Sequence, residues 1–323
     1  MDAAKKIELI DRATAALRSH RNDCRLCPRD CGANRAGGEI GYCRSPDRAG
    51  VARALLHFGE EPVLSGPGGE GRGSGTVFFT GCNLKCLFCQ NHQLSWSLQG
   101  RPVGDEELAG MMLDLQERGA ANINLVSPSH LLLPILRALR IALARGLRLP
   151  LVYNSHGYEK IEVVEHLAGI VDVYLPDCKY LSPSLSERCS GAADYFDYAA
   201  PSIQEMFVQQ PDLVLDEAGI ALRGTIVRHL VLPGQTANAI AVLDWLAATF
   251  PLSLPLSLMS QYRPCFRPPA DLDRSLPQEE YRIVLARARD LGFENLFVQP
   301  GSFGSDDHLN PDFDLEEPFP WKR

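Results

Sequence analysis

From Thr76 to Gln299 short apolar runs alternate with longer amphipathic ones, and this alternation limits the fold more than any other feature of the chain. TVFFTG, INLVSP, LPLVYNS, VDVYLPD, ALRGTIVRHLVLPG, PLSLMSQY and NLFVQ read as strands. Between them DEELAGMMLDLQERG, HLLLPILRALRIALARG (Pro134 in its early turns), YEKIEVVEHLAG, PSLSERC, SIQEMFVQQ, ANAIAVLDWLAATF and PQEEYRIVLARARDLG read as helices. Repeated strand-then-helix units imply a parallel sheet with right-handed crossovers. A partly closed barrel and an open doubly wound sheet both fit, and 323 residues suffice for either as one domain. In both, chemistry gathers at the C-terminal ends of the strands. Those ends are Ser127 to His130, Asn154 to His156, Asp177 to Lys179, Arg228 and His229, and Gln261 to Arg263.

The loop after the first strand, GCNLKCLFCQN, carries Cys82, Cys86 and Cys89 in a C-x3-C-x2-C spacing. A structural zinc ion normally takes four protein ligands, and His92 is the one nearby residue that would complete such a set. A [4Fe-4S] cube takes one thiolate per iron, so three cysteines leave one iron open to a ligand that is not protein. One short loop with these spacings can wrap three corners of a cube.

This loop, with Phe88 as the aromatic residue in C-x3-C-x-aromatic-C, resembles the signature of the radical S-adenosylmethionine (SAM) superfamily. The resemblance implies that the open iron is chelated by SAM. It also implies reductive cleavage of SAM to a 5′-deoxyadenosyl radical, which takes hydrogen from a substrate. The implied fold is a partial (β/α)6 TIM-like radical SAM barrel. FFTGCNLKCLFCQN, YNSHGYE, DCK and IVRHLVLPG are similar to segments of the pyruvate formate-lyase activating enzyme branch, over roughly residues 75 to 300. In that branch the substrate is a glycine of a glycyl-radical protein, and the electron comes from a flavodoxin or ferredoxin type of reductant. Asp177 and Lys179 match the branch's Asp-x-Lys motif. Two residues apart on a strand, they point to one face. Two departures stand out. Where the branch has Gly-Gly-Glu to hold the amino group of SAM, this chain has SPSH, so Ser127, Ser129 or His130 would substitute. Where the branch has a cation-binding Asp, it has Asn154. Phe88, Asn91, Ser155, His229 and Gln261 complete the set of candidate cofactor contacts. Simpler roles compete for several of them: a helix cap for Asn154 and Ser155, and barrel-mouth polarity for Arg228 and His229.

Ahead of the barrel, C-x2-C-x3-C with Cys43 after eleven further residues gives a second set: Cys24, Cys27, Cys31 and Cys43. Four thiols suit either structural zinc or an auxiliary iron–sulfur cluster, with zinc slightly favoured. The expected organisation is a small N-terminal cysteine-rich module over residues 1–65, a barrel over 66–300 and an acidic surface tail over 301–323. The whole arrangement resembles an activating-enzyme-like subfamily whose motifs imply no substrate. Cys178, Cys189 and Cys265 read as ordinary free cysteines, Cys265 being the best placed for substrate chemistry.

Composition narrows the classes further. The net charge of -8 argues against a nucleic-acid binder. No apolar run is long enough to span a membrane, and the N-terminal twenty residues read as an amphipathic helix through Ile7, Ile10 and Leu17 rather than as a signal peptide. A cytoplasmic, reducing setting follows, in which clustered cysteines bind metals more often than they form disulfides. SGPGGEGRGSG runs into a strand and not a helix, so it reads as a connection and not as a phosphate loop. Three functions are left: a glycyl-radical activating enzyme, a radical SAM enzyme for a small molecule or peptide, and a non-catalytic zinc scaffold.

Overall fold

The computed structural model describes residues 2–66, 71–299 and 311–319. The helices are α1 (Ala3–Leu17), α2 (Pro62–Ser65), α3 (His92–Ser95), α4 (Asp105–Glu117), α5 (Leu132–Ala144), α6 (Ile161–Val164), α7 (Pro183–Ser190), α8 (Tyr195–Gln209), α9 (Thr236–Thr249) and α10 (Gln278–Leu291). The strands are β1 (Ala49–His57), β2 (Ser74–Phe79), β3 (Arg101–Val103), β4 (Ile123–Val126), β5 (Leu151–Ser155), β6 (Val173–Pro176), β7 (Val214–Leu215), β8 (Ala221–Thr225), β9 (Val227–Leu230), β10 (Leu256–Met259) and β11 (Leu296–Val298).

β2, β4, β5, β6 and β8 run parallel in one sheet, and β9, β10 and β11 run parallel in a second. A parallel bridge between Asp177 and Arg228 joins the two sheets. β8 and β9 are two halves of the single strand read in ALRGTIVRHL. The result is the expected α/β partial barrel. α7 shows how local sequence sets an element: Ser182 caps its start by accepting from the Leu185 N–H, and Gly191 ends it in the left-handed region at φ +56. The predicted SIQEMFVQQ helix begins earlier, at Tyr195, and continues through Pro201.

Two arrangements differ from the sequence reading. β1 pairs antiparallel with β2 and with β3, so the barrel sheet extends into residues grouped with the N-terminal module. After β1, residues 60–65 enter the barrel. Val63 and Leu64 of α2 pack with Val152, Val173, Leu175, Ala221 and Ile226, and this packing fills the interior. The tail is not simply a surface segment: Phe313 and Phe319 are buried against Phe78 and Leu94. Outside the barrel, α1 packs on α5, burying Ile10, Ala13 and Leu17. Part of the glycine-rich connection (67–70) and most of the tail lie outside the described residues.

Candidate active site

The cysteine loop leaves β2 and turns over the C-terminal mouth of the barrel. Gly81 opens it at φ +82. A Cβ there would stand 2.4 Å from Ser45 Oγ and 2.6 Å from the Cys43 carbonyl, so the turn and the close approach both require glycine. Cys82, Cys86 and Cys89 line one cavity of about 530 Å³. Phe88, Asn91, Ser127, Asn154, Asp177, Lys179 and Gln261 line the same cavity. So do His156 and Arg228, from strand ends already singled out, and His57, Glu60 and Glu61, which sequence reasoning missed. A hollow of about 580 Å³ between β1, β3 and α4 holds none of these residues.

The sulfurs have hydrogen-bond donors beside them. The N–H groups of Leu84 and Lys85 lie 3.3 and 3.5 Å from Cys82 Sγ, and Ser190 Oγ donates to Cys86 Sγ at 3.2 Å. Burial pushes the Cys82 thiol up to about 11 and Cys89 to about 12, so both hold their protons at neutral pH until a metal takes the proton's place. Among the described residues no three His, Cys, Asp or Glu side chains converge on a single ion. His92 stacks on Phe266, at 5.1 Å between ring centroids. A four-iron cube spaces its ligand sulfurs more widely than one ion does. Three thiols around an open cavity, two of them with hydrogen-bond donors on the sulfur, therefore fit such a group.

Lys179 pairs with Asp177 beside the cysteines. Burial works against the lysine's charge, but Asp177 outweighs it and its affinity for the proton rises. Arg228 is shared: Nε donates to Glu61 at 2.8 Å, Nη2 reaches Glu60 and Glu61, and Nη1 lies 3.4 Å from Asn154 Oδ1. Burial opposes ionisation of Glu61, yet the guanidinium keeps its carboxyl below the usual range. Ser127 closes β4 at φ +53, a left-handed conformation unusual for serine.

Four candidate residues lie behind the cavity rather than in it. Ser129 and Ser155 both donate to the buried Glu159 carboxylate, which burial raises to about 7. His130 donates through Nε2 to the Thr80 carbonyl at 2.9 Å. His229 donates through Nδ1 to the Cys178 carbonyl at 2.7 Å, because strand alternation turns it away from the face that carries Arg228. Their reading as direct cofactor contacts is therefore corrected to a supporting position. His156 braces the loop: its Nδ1 accepts from the Tyr158 N–H, so Nε2 carries the proton and donates to Asn83 Oδ1 at 2.8 Å.

The second cysteine set lies against the first. Cys24, Cys27 and Cys43 are buried and Cys31 is exposed. Arg35 Nη2 donates to Cys43 Sγ at 3.1 Å, and Nη1 reaches the His130 carbonyl at 2.5 Å. Cys24 lies near enough to Cys31 and Cys43, and Cys27 to Cys24 and Cys43, for their charges to interact, although no three of the four converge on a single ion.

A parallel barrel whose strand ends surround a three-cysteine loop defines an iron–sulfur enzyme class. The profile of the Radical SAM superfamily matches residues 76–246, more than half of the chain, and the chain belongs to that superfamily. An uncharacterized protein of Methanocaldococcus jannaschii is 28% identical over 304 residues, which cover 90% of this chain and 82% of that protein. Among solved structures, Streptococcus suis SuiB bound to S-adenosylmethionine is similar at a TM-score of 0.46 and 11% identity, over 68% of this chain and 48% of SuiB. The chain thus spans about half of SuiB's length. A domain of pyruvate-formate lyase-activating enzyme from Bacteroides vulgatus is similar at a TM-score of 0.32 and 13% identity, over 60% of this chain and 91% of that domain. At these scores neither structure says what this chain acts on. Among the described residues no helix is long and apolar enough to cross a membrane.

Proposed function

We propose that the protein is an activating-enzyme-like radical SAM enzyme that takes hydrogen from a glycine of a partner protein. Cys82, Cys86 and Cys89 would hold a [4Fe-4S] group. When bound, that group supplies one electron to SAM, which leaves methionine and a 5′-deoxyadenosyl radical. A flavodoxin or ferredoxin type of protein is the proposed source of the electron. The chain's own residues bind and orient. The amides of Leu84 and Lys85 and the Ser190 hydroxyl hold the sulfurs. Asp177 and Lys179 form a fixed pair beside them, and Ser127, Asn154, Asn91 and Gln261 offer polar contacts for SAM. Phe88 and Met259 contribute apolar wall.

One observation carries this reading: the three thiols share a single cavity with the strand-end polar residues. Charge bears on the substrate. The only Lys and Arg among the described lining residues are Lys179 and Arg228, and both are already paired with carboxylates. With both engaged by carboxylates, the lining offers little net positive charge to a carboxylate or phosphate, which favours a neutral hydrogen donor such as a peptide glycine. A second reading rests on the tail. Pro311 and Phe319 line the cavity and narrow it, which favours a small molecule or short peptide.

The test is 5′-deoxyadenosine formation by anaerobically reconstituted protein with SAM and a strong reductant. Wild type should form it, and the Cys82→Ala, Cys86→Ala, Cys89→Ala variant should not. Equal product from both would sink the proposal. Substrate class is then read from deuterium: transfer into 5′-deoxyadenosine from a labelled partner protein, with a persistent glycyl radical in its paramagnetic resonance spectrum, supports the first reading. Transfer from a small molecule alone supports the second.

A further inference from the structure

Arg29 lies between Cys27 and Cys31, yet its bonds go to the other cysteine loop. Nε donates to the Asn83 carbonyl at 2.8 Å and Nη2 to the Leu84 carbonyl at 3.4 Å. The same guanidinium bonds the carbonyls of Ser190, at 3.0 Å, and Gly191, at 2.5 Å, where α7 ends. Its central carbon lies over the Tyr42 ring, 4.1 Å from the centroid, and over the Tyr158 ring, at 5.1 Å. One side chain from the N-terminal module thus fixes two segments far away in sequence.

The two carbonyls in the cysteine loop have a particular meaning. The Asn83 C=O and the Leu84 N–H belong to one peptide plane, and so do the Leu84 C=O and the Lys85 N–H. In a trans peptide the C=O and N–H point in opposite directions, and the described residues contain no cis bond. The N–H ends of these two planes are the ones that lie 3.3 and 3.5 Å from Cys82 Sγ. Arg29 therefore sits at the far end of both N–H···S contacts. A cation on a peptide carbonyl polarises the unit and strengthens its N–H as a donor. Hydrogen bonds to ligand sulfurs are among the features that set iron–sulfur potentials, and they favour the more negative, reduced form.

We propose that Arg29 is a positioning residue for the Cys82 ligand: acting through two peptide units, it aims and polarises the Leu84 and Lys85 N–H groups at the sulfur and raises the reduction potential of the group that the loop holds. On this account the N-terminal module contributes an outer-layer arginine to the neighbouring centre, whatever its own cysteines bind. The proposal rests on the reading of Cys82, Cys86 and Cys89 as cluster ligands.

The experiment is a redox titration of the reconstituted full chain, followed by paramagnetic resonance, for wild type, Arg29→Gln and Arg29→Lys. Iron and sulfide are counted in each. Arg29→Gln should hold its iron and sulfide but be harder to reduce. The ratio of reduced to oxidised centre at a fixed potential should fall by about tenfold, about 59 mV for a one-electron couple. Arg29→Lys keeps the charge but not the fork, and its midpoint should lie between the two. An unchanged midpoint in a fully loaded Arg29→Gln protein would overturn the proposal. If that variant does not load, Arg29→Lys decides alone, and a wild-type midpoint there overturns it too. Loss of the centre from both variants would mark Arg29 as a purely structural clamp and likewise overturn it. Wild-type iron and product formation are read separately, so a failure of the parent reading would be seen as such.

Discussion

Two cysteine-rich regions face each other in this molecule, and their sequences look more alike than their surroundings. The loop of Cys82, Cys86 and Cys89 opens on a cavity of about 530 Å³ and has N–H and O–H donors on its sulfurs. The module of Cys24, Cys27, Cys31 and Cys43 lines no part of that cavity, and its arginines reach outward, Arg29 to the loop and Arg35 to His130. Thiol spacing alone makes both regions metal-binding candidates. What separates them is the cavity: the three thiols of the loop line it, and the four of the module do not.

The strongest way to break this distinction is to remove the module's thiols. With Cys24, Cys27, Cys31 and Cys43 all changed to serine, 5′-deoxyadenosine formation should fall by about 10–100-fold, the size of an outer-shell effect, and not to zero. Iron analysis should still find the loop's centre. Complete loss of product with that centre in place would make the module part of the chemistry.

The next effect concerns the cavity floor. Arg228 is shared between two carboxylates, the buried Glu61 and the half-buried Glu60, delivered by the segment that fills the barrel. Arg228→Met should cost about 3–5 kcal/mol in urea unfolding, because it leaves buried charge without a partner. A cost below 1 kcal/mol would mean that water reaches these groups freely.

The contact between the two regions can be tested at Gly81. Gly81→Ala places a Cβ against Cys43 O and Ser45 Oγ at a left-handed φ. It should destabilise by about 1–3 kcal/mol, read as a lower thermal midpoint. An unchanged midpoint would show that module and loop move apart at little cost.

The smallest effect is a slope with pH. His130, at this contact, and His229, on the outer wall, are each lowered by burial from 6.5 to about 4. Burial, followed by Lys179, lowers His156 to about 3. The folded state resists protonation that the unfolded chain accepts. The stability from these imidazoles is therefore complete above pH 6.5 and is lost as pH falls toward 4. Each contributes about 1.4 kcal/mol per pH unit within that window. Glu159, raised by burial from 4.5 to about 7, acts in the opposite sense and loses its contribution as pH rises through that range. Three imidazoles outweigh one carboxyl, so urea midpoints should fall from pH 6.5 to 4.5. His130→Gln should flatten that fall by about one imidazole's share.

Much of this was legible in the chain. Alternating periodicity placed the parallel strands and the long helices, because each must bury one face. The C-x3-C-x2-C loop and the polar strand ends were readable because a parallel barrel gathers loops at one end. The first signs of difficulty were local. Ser129 and His130 follow β4 as Ser127 does, and nothing in their spacing says which side chains turn into the cavity and which turn to Glu159 or Thr80, whereas Ser155 alternates with Asn154 within β5. For His229, the alternation with Arg228 was a usable signal.

The sequence by itself thus determined the chemistry available: seven clustered thiols, a parallel α/β scaffold and the loop that the superfamily uses. Only the tertiary structure decided which distant groups serve that loop. Glu60 and Glu61 reach the cavity because residues 60–65 fill the barrel, and Arg29 reaches Asn83 and Leu84 because the module packs on Gly81. The physical reason is range. Periodicity and spacing report on neighbours along the chain, whereas a buried charge or an orphan carbonyl is satisfied by whichever segment the packing of the core brings alongside.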